Sequence, residues 1–137
     1  MVKPDDFFVM ATWLQGAKQD EMALRTVINR AYYAAFLEFA RYADLLELPE
    51  VRGGVHEKKI EGVIALWLPR DHPDYSRQEA LRKSAYLLNE IKSWRVKSDY
   101  RLDRSIYQAN AKEVVARVIK IRNLLTSLGT PRSYSLQ

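Results

Sequence analysis

The sequence contains no cysteine in its 137 residues, and this absence excludes disulfide bonds, a thiol nucleophile and thiolate metal sites. Histidine is scarce as well, since only His56 and His72 occur, so a structural zinc site is not expected. We predict a protein without a metal ion or a cofactor. A reducing compartment suits such a chain, and the predicted location is the cytoplasm.

Long apolar runs are also missing, since none approaches the roughly 20 residues that a membrane-spanning helix needs. The N-terminal residues lead into an amphipathic stretch, which lacks the apolar core of a signal peptide. Glycine-rich phosphate loops, HExxH pairs, EF-hand loops and serine nucleophile elbows are absent too. We therefore expect a chain that is neither secreted nor inserted in a membrane, and whose chemistry uses Arg, Asp, Tyr or His.

Apolar residues recur at intervals of three and four along five segments, and no stretch alternates as a β-strand does. We therefore expect an all-α, up-and-down bundle of about five helices. Residues 1–128 are predicted to form a single domain, and residues 129–137, which lack an apolar period, a flexible tail. The predicted helices cover about residues 5–18, 20–46, 56–68, 76–98 and 103–128.

Polar residues that precede the apolar segments predict how the helices begin. Trp67 is expected to lie in the core at the end of the third helix, just before Pro69. The expected N-terminal caps are Asp5 or Asp6, Asp20, Ser76 in a capping box with Glu79, and Asp103.

The net charge of +5 is concentrated in one part of the chain. Residues 92–122 hold nine basic side chains against three acidic ones, a net charge of +6, whereas residues 1–91 have a net charge of −2. A local excess of this kind is typical of surfaces that bind a polyanion such as RNA, or an acidic protein. A solvated helix face rich in lysine and arginine produces the same pattern, and charge alone does not separate these interpretations.

Arg95 is placed on the inward face of the fourth helix, because at about 100° per residue it lies about 20° from Leu88 and about 40° from Ile91. A guanidinium in that position is costly unless it is paired or bound to a ligand. Asp99 lies one turn later on the same face and can be its partner. The pair is interpreted either as a buried link between the fourth and second helices or as part of a site.

A second group of polar and aromatic residues occupies the second helix, in the segment 29–36. Small residues beside Tyr32 and Tyr33 favour close helix packing, with the hydroxyl groups left to satisfy buried polar partners. His56 follows two glycines at a predicted helix start, where it can act as a base near neutral pH or cap the helix. His72 is interpreted as a loop residue.

Three segments together resemble the HEPN domain, in the branch of small stand-alone prokaryotic proteins of toxin–antitoxin and defence systems. Residues 30–36 (RAYYAAF) are similar to an Arg-Ala-Tyr-Tyr stretch on the second helix of that family. Residues 55–67 resemble its third helix, and residues 94–100 (WRVKSDY) resemble its Arg-x-x-Ala-Asp-Tyr turn. The resemblance spans roughly residues 6–128 and implies a HEPN-like helical bundle.

In active members, the resemblance implies a metal-independent endoribonuclease, in which an Arg and a His roughly four to six residues later line a cleft between two subunits. Arg95 stands at the Arg position and Tyr100 at the His position. A phenol with a pKa near 10 is a poor general base at neutral pH, so the usual proton transfer is not expected from Tyr100. The implied catalytic residues are Arg95, Asp99, Tyr100 and His56, and the implied RNA- or nucleotide-binding residues are Arg30, Tyr33, Lys97 and Arg101.

Three functions are compatible with these patterns. The first is an RNA-targeting toxin or defence effector that cuts RNA and is regulated by a minimal nucleotidyltransferase acting as antitoxin. The second is a non-catalytic HEPN module that binds nucleotide, RNA or a protein partner. The third is a helical adaptor in which Arg95 and Asp99 are structural. We also expect a homodimer whose interface includes the end of the fourth helix, because one bundle alone would leave a half-formed cleft there.

Overall fold

The computed structural model describes residues 2–18, 20–46, 48–49 and 51–129. Within these residues the chain forms five α-helices and no strand, so the predicted all-α bundle is confirmed. Apart from Gly129, the tail that was predicted to be flexible lies outside the described residues. The helices are α1 (Pro4–Ala17), α2 (Glu21–Ala43), α3 (Val55–Ala65), α4 (Tyr75–Tyr100) and α5 (Gln108–Thr126).

The central helix of the bundle is α2, which packs against each of the other four helices. A helix in that position must be apolar on most of its circumference, and α2 is buried along nearly its whole length. The sequence predicts an apolar stripe along this helix, and six of its residues are buried: Leu24, Ile28, Ala31, Ala35, Phe39 and Tyr42. Its last residue, Leu46, lies beyond the end of the helix and is half-buried. Among the described helices, none is both long enough and apolar enough to cross a bilayer.

The beginnings of α1 and α2 test the predicted caps. Neither Asp5 nor Asp6 is the N-cap residue of α1, because Pro4 already takes the first helical position, where its missing N–H costs nothing. Asp6 acts from within the first turn instead, since its carboxylate accepts a hydrogen bond from the backbone N–H of Lys3 at 2.8 Å. The prediction for α2 is confirmed, since the Asp20 carboxylate accepts a hydrogen bond from the backbone N–H of Ala23 at 2.9 Å.

The beginnings of α4 and α5 differ from the prediction. The turn at residues 70–74 carries the chain into α4 before Ser76, which is therefore already helical and not the capping residue. Asp103 does not cap α5 either, because the chain stays non-helical as far as Tyr107. At Tyr107 the Oδ1 atom of Asn110 accepts a hydrogen bond from the backbone N–H at 2.9 Å, so a side chain within the first turn of α5 satisfies this donor.

The end of α3 explains why the prediction of a buried Trp67 is wrong. The helix stops at Ala65, and the extended backbone of Leu66 turns the following residues away from the helical face. Trp67 is therefore 76% exposed, and Leu68 is buried in its place. Arg82 from α4 closes this helix end, because its guanidinium donates a hydrogen bond to the carbonyl of Leu66 and lies 4.4 Å from the centre of the Trp67 ring.

Candidate functional site

The Arg95–Asp99 pair that the sequence suggests is present near the end of α4. Arg95 Nε lies 3.4 Å from Asp99 Oδ2, and the two side chains are 17% and 22% exposed. The Asp99 carboxylate also accepts hydrogen bonds from Asn29 Nδ2, at 2.9 Å to Oδ1 and 3.0 Å to Oδ2. Because Asn29 belongs to α2, these contacts join the fourth helix to the second.

Tyrosine side chains of α2 surround the Arg95 guanidinium. Its Nη2 donates a hydrogen bond to the Tyr33 hydroxyl at 2.9 Å, and its Cζ lies 5.6 Å and 5.4 Å from the ring centres of Tyr32 and Tyr33. Burial opposes the charge of Arg95, but the hydrogen bond to Tyr33 and the nearby Asp99 carboxylate outweigh this effect and raise its pKa. Arg95 is therefore a fixed positive charge.

One buried polar atom of Arg95 has no hydrogen-bond partner among the described residues. This atom is Nε, and Asp99 Oδ2 is close enough to it to form an ion pair. The pair is thus Coulombic without a well-directed hydrogen bond.

His56, in the first turn of α3, lies against the same tyrosines. Its ring stacks on Phe36 with 3.7 Å between ring centres, and its Nδ1 shares a hydrogen bond with the Tyr32 hydroxyl at 3.1 Å. Burial lowers the pKa of His56, and the charges of Arg95 and Lys92 lower it further. The imidazole is therefore neutral at neutral pH and able to accept a proton. The alternative role as a helix cap does not apply, because residue 54 is the N-cap of α3.

Tyr32 completes the link between the arginine and the histidine. Burial raises the pKa of Tyr32 well above its usual range, although the Arg95 charge acts in the opposite direction. Its hydroxyl is therefore protonated, and the tautomer of His56 decides which of the two groups donates their shared hydrogen bond. We name the set of side chains formed by Arg95, Asp99, Tyr32, Tyr33 and His56 the Arg95 cluster.

The remaining candidates lie outside this cluster. Tyr100 is 69% exposed, because five residues after Arg95 a helix has turned about 140° away from it. Lys97 is placed with its Nζ 4.5 Å from the centre of the Trp94 ring. Arg101 and Arg30 are exposed. Of the eight candidate residues, the structure thus brings together Arg95, Asp99, His56 and Tyr33.

Two residues of this region, Asn29 and Tyr32, were not among the candidates. A signal for them exists in the sequence, because positions 29, 32, 33 and 36 are spaced by three and four and therefore share one face of α2. The polar Asn29 and the two tyrosines form a polar stripe beside the apolar one. A search for polar periodicity on a helix that is apolar elsewhere would have found it.

Arg25 is a buried arginine that the sequence reasoning also missed. Glu21, one turn before it, lies 3.3 Å from its Nη2 and accepts a hydrogen bond from the backbone N–H of Ile106 at 2.8 Å. A guanidinium near the carbonyl end of a helix is stabilising, so Arg25 fixes the end of α4 where Asp99 stands. Its guanidinium donates to the carbonyl oxygens of Lys97 (2.8 Å), Ser98 (3.3 Å), Arg101 (3.3 Å) and Arg104.

The basic segment 92–122 is divided among the end of α4, the following loop and α5. Much of its charge is paired, as in Lys92 with Glu57 at 2.7 Å and Arg122 with Asp5 at 2.7 Å. At the end of α4, in contrast, Arg101 and Arg104 share the single carboxylate of Asp103, and Lys97 has no ion pair among the described residues. Positive charge is therefore in excess beside the Arg95 cluster.

Within the described residues, no group of three or more His, Cys, Asp and Glu side chains could hold a metal ion. Comparison of the chain with protein-family models, curated proteins and solved structures finds no match. The geometry of the Arg95 cluster and the three segments that resemble HEPN domains are therefore the observations that bear on function.

Proposed function

We propose that this protein is an RNA-targeting effector of the HEPN type that cleaves RNA without a metal ion, and that the Arg95 cluster is its active site. One observation supports this above all: a permanently charged guanidinium and a neutral imidazole, from α4 and α3, meet around two tyrosines of α2. These are the two groups that transesterification of RNA requires, a cation for the phosphate and a base for the 2′-hydroxyl.

In the proposed reaction, His56 accepts the proton of a ribose 2′-hydroxyl while the 2′-oxygen attacks the adjacent phosphorus. The bond from phosphorus to the 5′-oxygen breaks, and a 2′,3′-cyclic phosphate and a 5′-hydroxyl result. Arg95 stabilises the negative charge on the phosphate oxygens in the transition state. Tyr33 and Asp99 position Arg95, and Tyr32 orients the His56 ring.

The leaving 5′-oxygen needs a proton on the side opposite to the attacking oxygen. A homodimer formed around the end of α4 would bring two Arg95 clusters together, so that the neutral histidine of one subunit takes a proton while the histidine of the other, in its protonated form, gives one. This step is the reason for proposing the dimer, and it assigns to His56 the role that the family gives to the position of Tyr100. A minimal nucleotidyltransferase remains the proposed antitoxin partner, on the resemblance alone.

The proposal is tested by incubating the protein with a single-stranded RNA in EDTA and identifying the products. We expect cleavage to 2′,3′-cyclic phosphate ends by the wild type, and a loss of about 100-fold or more in rate for His56→Ala and for Arg95→Ala. His72→Ala is the matched control, because it removes the other histidine. Undiminished cleavage by His56→Ala would show that the base has been assigned wrongly.

A non-catalytic RNA-binding module is the second candidate. It is favoured by the ion pair of Arg95 with Asp99 and by the hydrogen bond that already occupies His56 Nδ1. In that case the protein binds RNA with the same dependence on Arg95, but no product forms in EDTA or in magnesium. A helical adaptor, the third candidate, would show no RNA binding that depends on Arg95.

A further inference from the structure

The loop between α4 and α5, residues 101–107, is exposed and yet firmly held. Six of its seven residues are exposed, whereas Ile106 is buried in the core. The buried Arg25 donates hydrogen bonds to two carbonyl oxygens of this loop. Glu21 accepts a hydrogen bond from the backbone N–H of Ile106 at 2.8 Å and also pairs with Arg25. Exposed loops are usually mobile, but these contacts fix the backbone of the α4–α5 loop.

Large side chains project from this fixed backbone into solvent. Leu102 is 77% exposed and Tyr107 is 67% exposed, and the exposed Tyr100, the last residue of α4, directly precedes the loop. A cavity of about 280 Å³ lies between Leu102 and the exposed Met22 of α2, and it extends this surface to Asp99 of the Arg95 cluster. A tyrosine ring can stack on the face of any nucleic-acid base. Because the backbone is already fixed, little conformational entropy is lost when such a ligand binds.

Positive charge accompanies these side chains. Arg101 and Arg104 share one carboxylate, that of Asp103, at 3.4 Å and 3.8 Å. On the other side of the cavity Arg30 is exposed and has no ion pair among the described residues. The acidic group of the cavity, Asp99, is already paired within the Arg95 cluster. The surface therefore suits an anion with flat groups, and single-stranded RNA has both properties because its base faces are not hidden in a duplex.

We propose that Tyr100 and the α4–α5 loop form a platform for single-stranded RNA. The rings of Tyr100 and Tyr107 stack on bases, while Arg101 and Arg104 contact phosphates of the same strand. This inference rests on the proposed function, because a strand bound here lies next to the Arg95 cluster, which acts on one of its phosphates. Stacking accepts every base, so the platform holds a strand without reading its sequence. It gives Tyr100 a role that needs the aromatic ring and no proton transfer.

The direct test measures, by fluorescence anisotropy, the affinity for a labelled RNA whose 2′-hydroxyl groups are methylated, so that the strand binds but cannot be cut. We expect the wild type to bind the single strand at least about fivefold more tightly than a duplex of the same sequence. Tyr100→Ala and Tyr107→Ala should each weaken single-strand binding by about fivefold or more. The two Phe variants should bind as the wild type does, because the ring is kept. Equal affinity for single strand and duplex overturns the proposal.

Tyr86→Ala is the matched control, because Tyr86 is an exposed tyrosine of the same helix, about 21 Å before Tyr100 along the helix axis. It should leave RNA affinity unaltered. All three tyrosines are exposed, so the circular dichroism spectra of the variants should match that of the wild type. A Tyr86→Ala variant that loses as much affinity as the other two overturns the platform. Wild-type affinity in Tyr100→Ala and Tyr107→Ala overturns it as well, and leaves the loop to an acidic protein partner.

The salt dependence of binding tests the two arginines. Changing Arg101 and Arg104 together to Gln removes two phosphate contacts, so the slope of log affinity against log salt concentration should become shallower by about 1–2. The tyrosine variants should leave this slope unchanged, because stacking releases no counterions. An unchanged slope in the arginine variant overturns the assignment of the phosphate contacts.

Cleavage of unmodified RNA in EDTA separates this inference from the proposed function. If the single-strand preference and the tyrosine effects hold but no RNA is cleaved, the platform is confirmed and the nuclease proposal fails. If cleavage depends on Arg95 and His56 while Tyr100→Ala and Tyr107→Ala leave KM unchanged, the nuclease proposal stands and the platform is overturned.

Discussion

The energetic role of Arg95 can be calculated from its contacts. A hydrogen bond from a charged donor, here to Tyr33, contributes about 1.5–3 kcal/mol. A partly exposed ion pair contributes about 0.2–1 kcal/mol, and the 3.4 Å separation from Asp99 without a directed hydrogen bond places this pair low in that range. Removing one partner of a buried ion pair costs about 3–5 kcal/mol when the other charge is left without any partner. In Arg95→Ala this cost does not apply in full, because Asn29 still donates hydrogen bonds to the Asp99 carboxylate.

We therefore expect Arg95→Ala to lower the free energy of unfolding by about 2–3 kcal/mol, and the melting temperature by roughly 6–12 °C. Urea unfolding of wild type, Arg95→Ala, Asp99→Ala and the double variant completes a cycle that isolates the pair. The coupling energy between the two residues should be about 1 kcal/mol or less. Arg104→Ala, which removes an exposed arginine nearby, is the control and should be nearly neutral.

A coupling energy of about 3 kcal/mol or more, with the double variant more stable than Arg95→Ala, would refute this reasoning and make the pair a buried structural link. An Arg95→Ala variant with the same melting temperature as the wild type would also refute the reasoning, because the hydrogen bond to Tyr33 would then contribute nothing to the free energy of unfolding.

Four further outcomes follow from other contacts. The pKa of His56 in the folded protein lies below the usual 6.5, so the unfolded chain binds more protons than the folded chain when the pH falls through about 6.5. The free energy of unfolding should therefore decrease as the pH falls through this range, and it should decrease less in His56→Gln. Urea unfolding at pH 5–8 measures both. Tyr42→Phe removes a buried hydroxyl that donates to the carbonyl of Leu125 and should cost about 1–2 kcal/mol in denaturant unfolding. Changing Lys97 and Arg101 together to Glu should abolish RNA binding while leaving the circular dichroism spectrum intact, whereas unchanged affinity would point to a protein partner. Light scattering at micromolar concentration should give about twice the 16.0 kDa chain mass, and a strict monomer would contradict the shared site.

The fold could be predicted from the sequence because helix periodicity is a local signal. The stripe on α2 appears as an apolar residue every three or four positions, and burial follows that pattern. The positions of the helix ends were predicted less accurately than the helices themselves. Ser76 and Asp103 are good capping residues by type, but the path of the preceding turn and loop decides where the helix begins. Trp67 was misplaced for the same reason, since the helix stops before it.

The candidate site was predictable where its residues share a helix. Arg95 and Asp99 are one turn apart, so their pairing follows from spacing. Arg25 was not predictable, because the carbonyl groups that it binds lie more than 70 positions later in the chain and carry no side-chain signal. The meeting of His56 with Tyr32 is likewise a product of how α3 packs on α2, which no local pattern encodes.

The two halves of the Arg95 cluster differ in how firmly the bundle holds them. Tyr32 and Tyr33 belong to α2, on which all the other helices pack, and amides of such a helix exchange with solvent mainly through global unfolding. His56 stands in the first turn of α3, the shortest of the described helices, two residues after Gly54, and Gly53 has a φ of 133° that favours glycine. Local opening of that turn would withdraw the base while the guanidinium stays in place. Hydrogen exchange at residues 55–58 should therefore be faster than on α2, and a ligand that binds His56 should slow it.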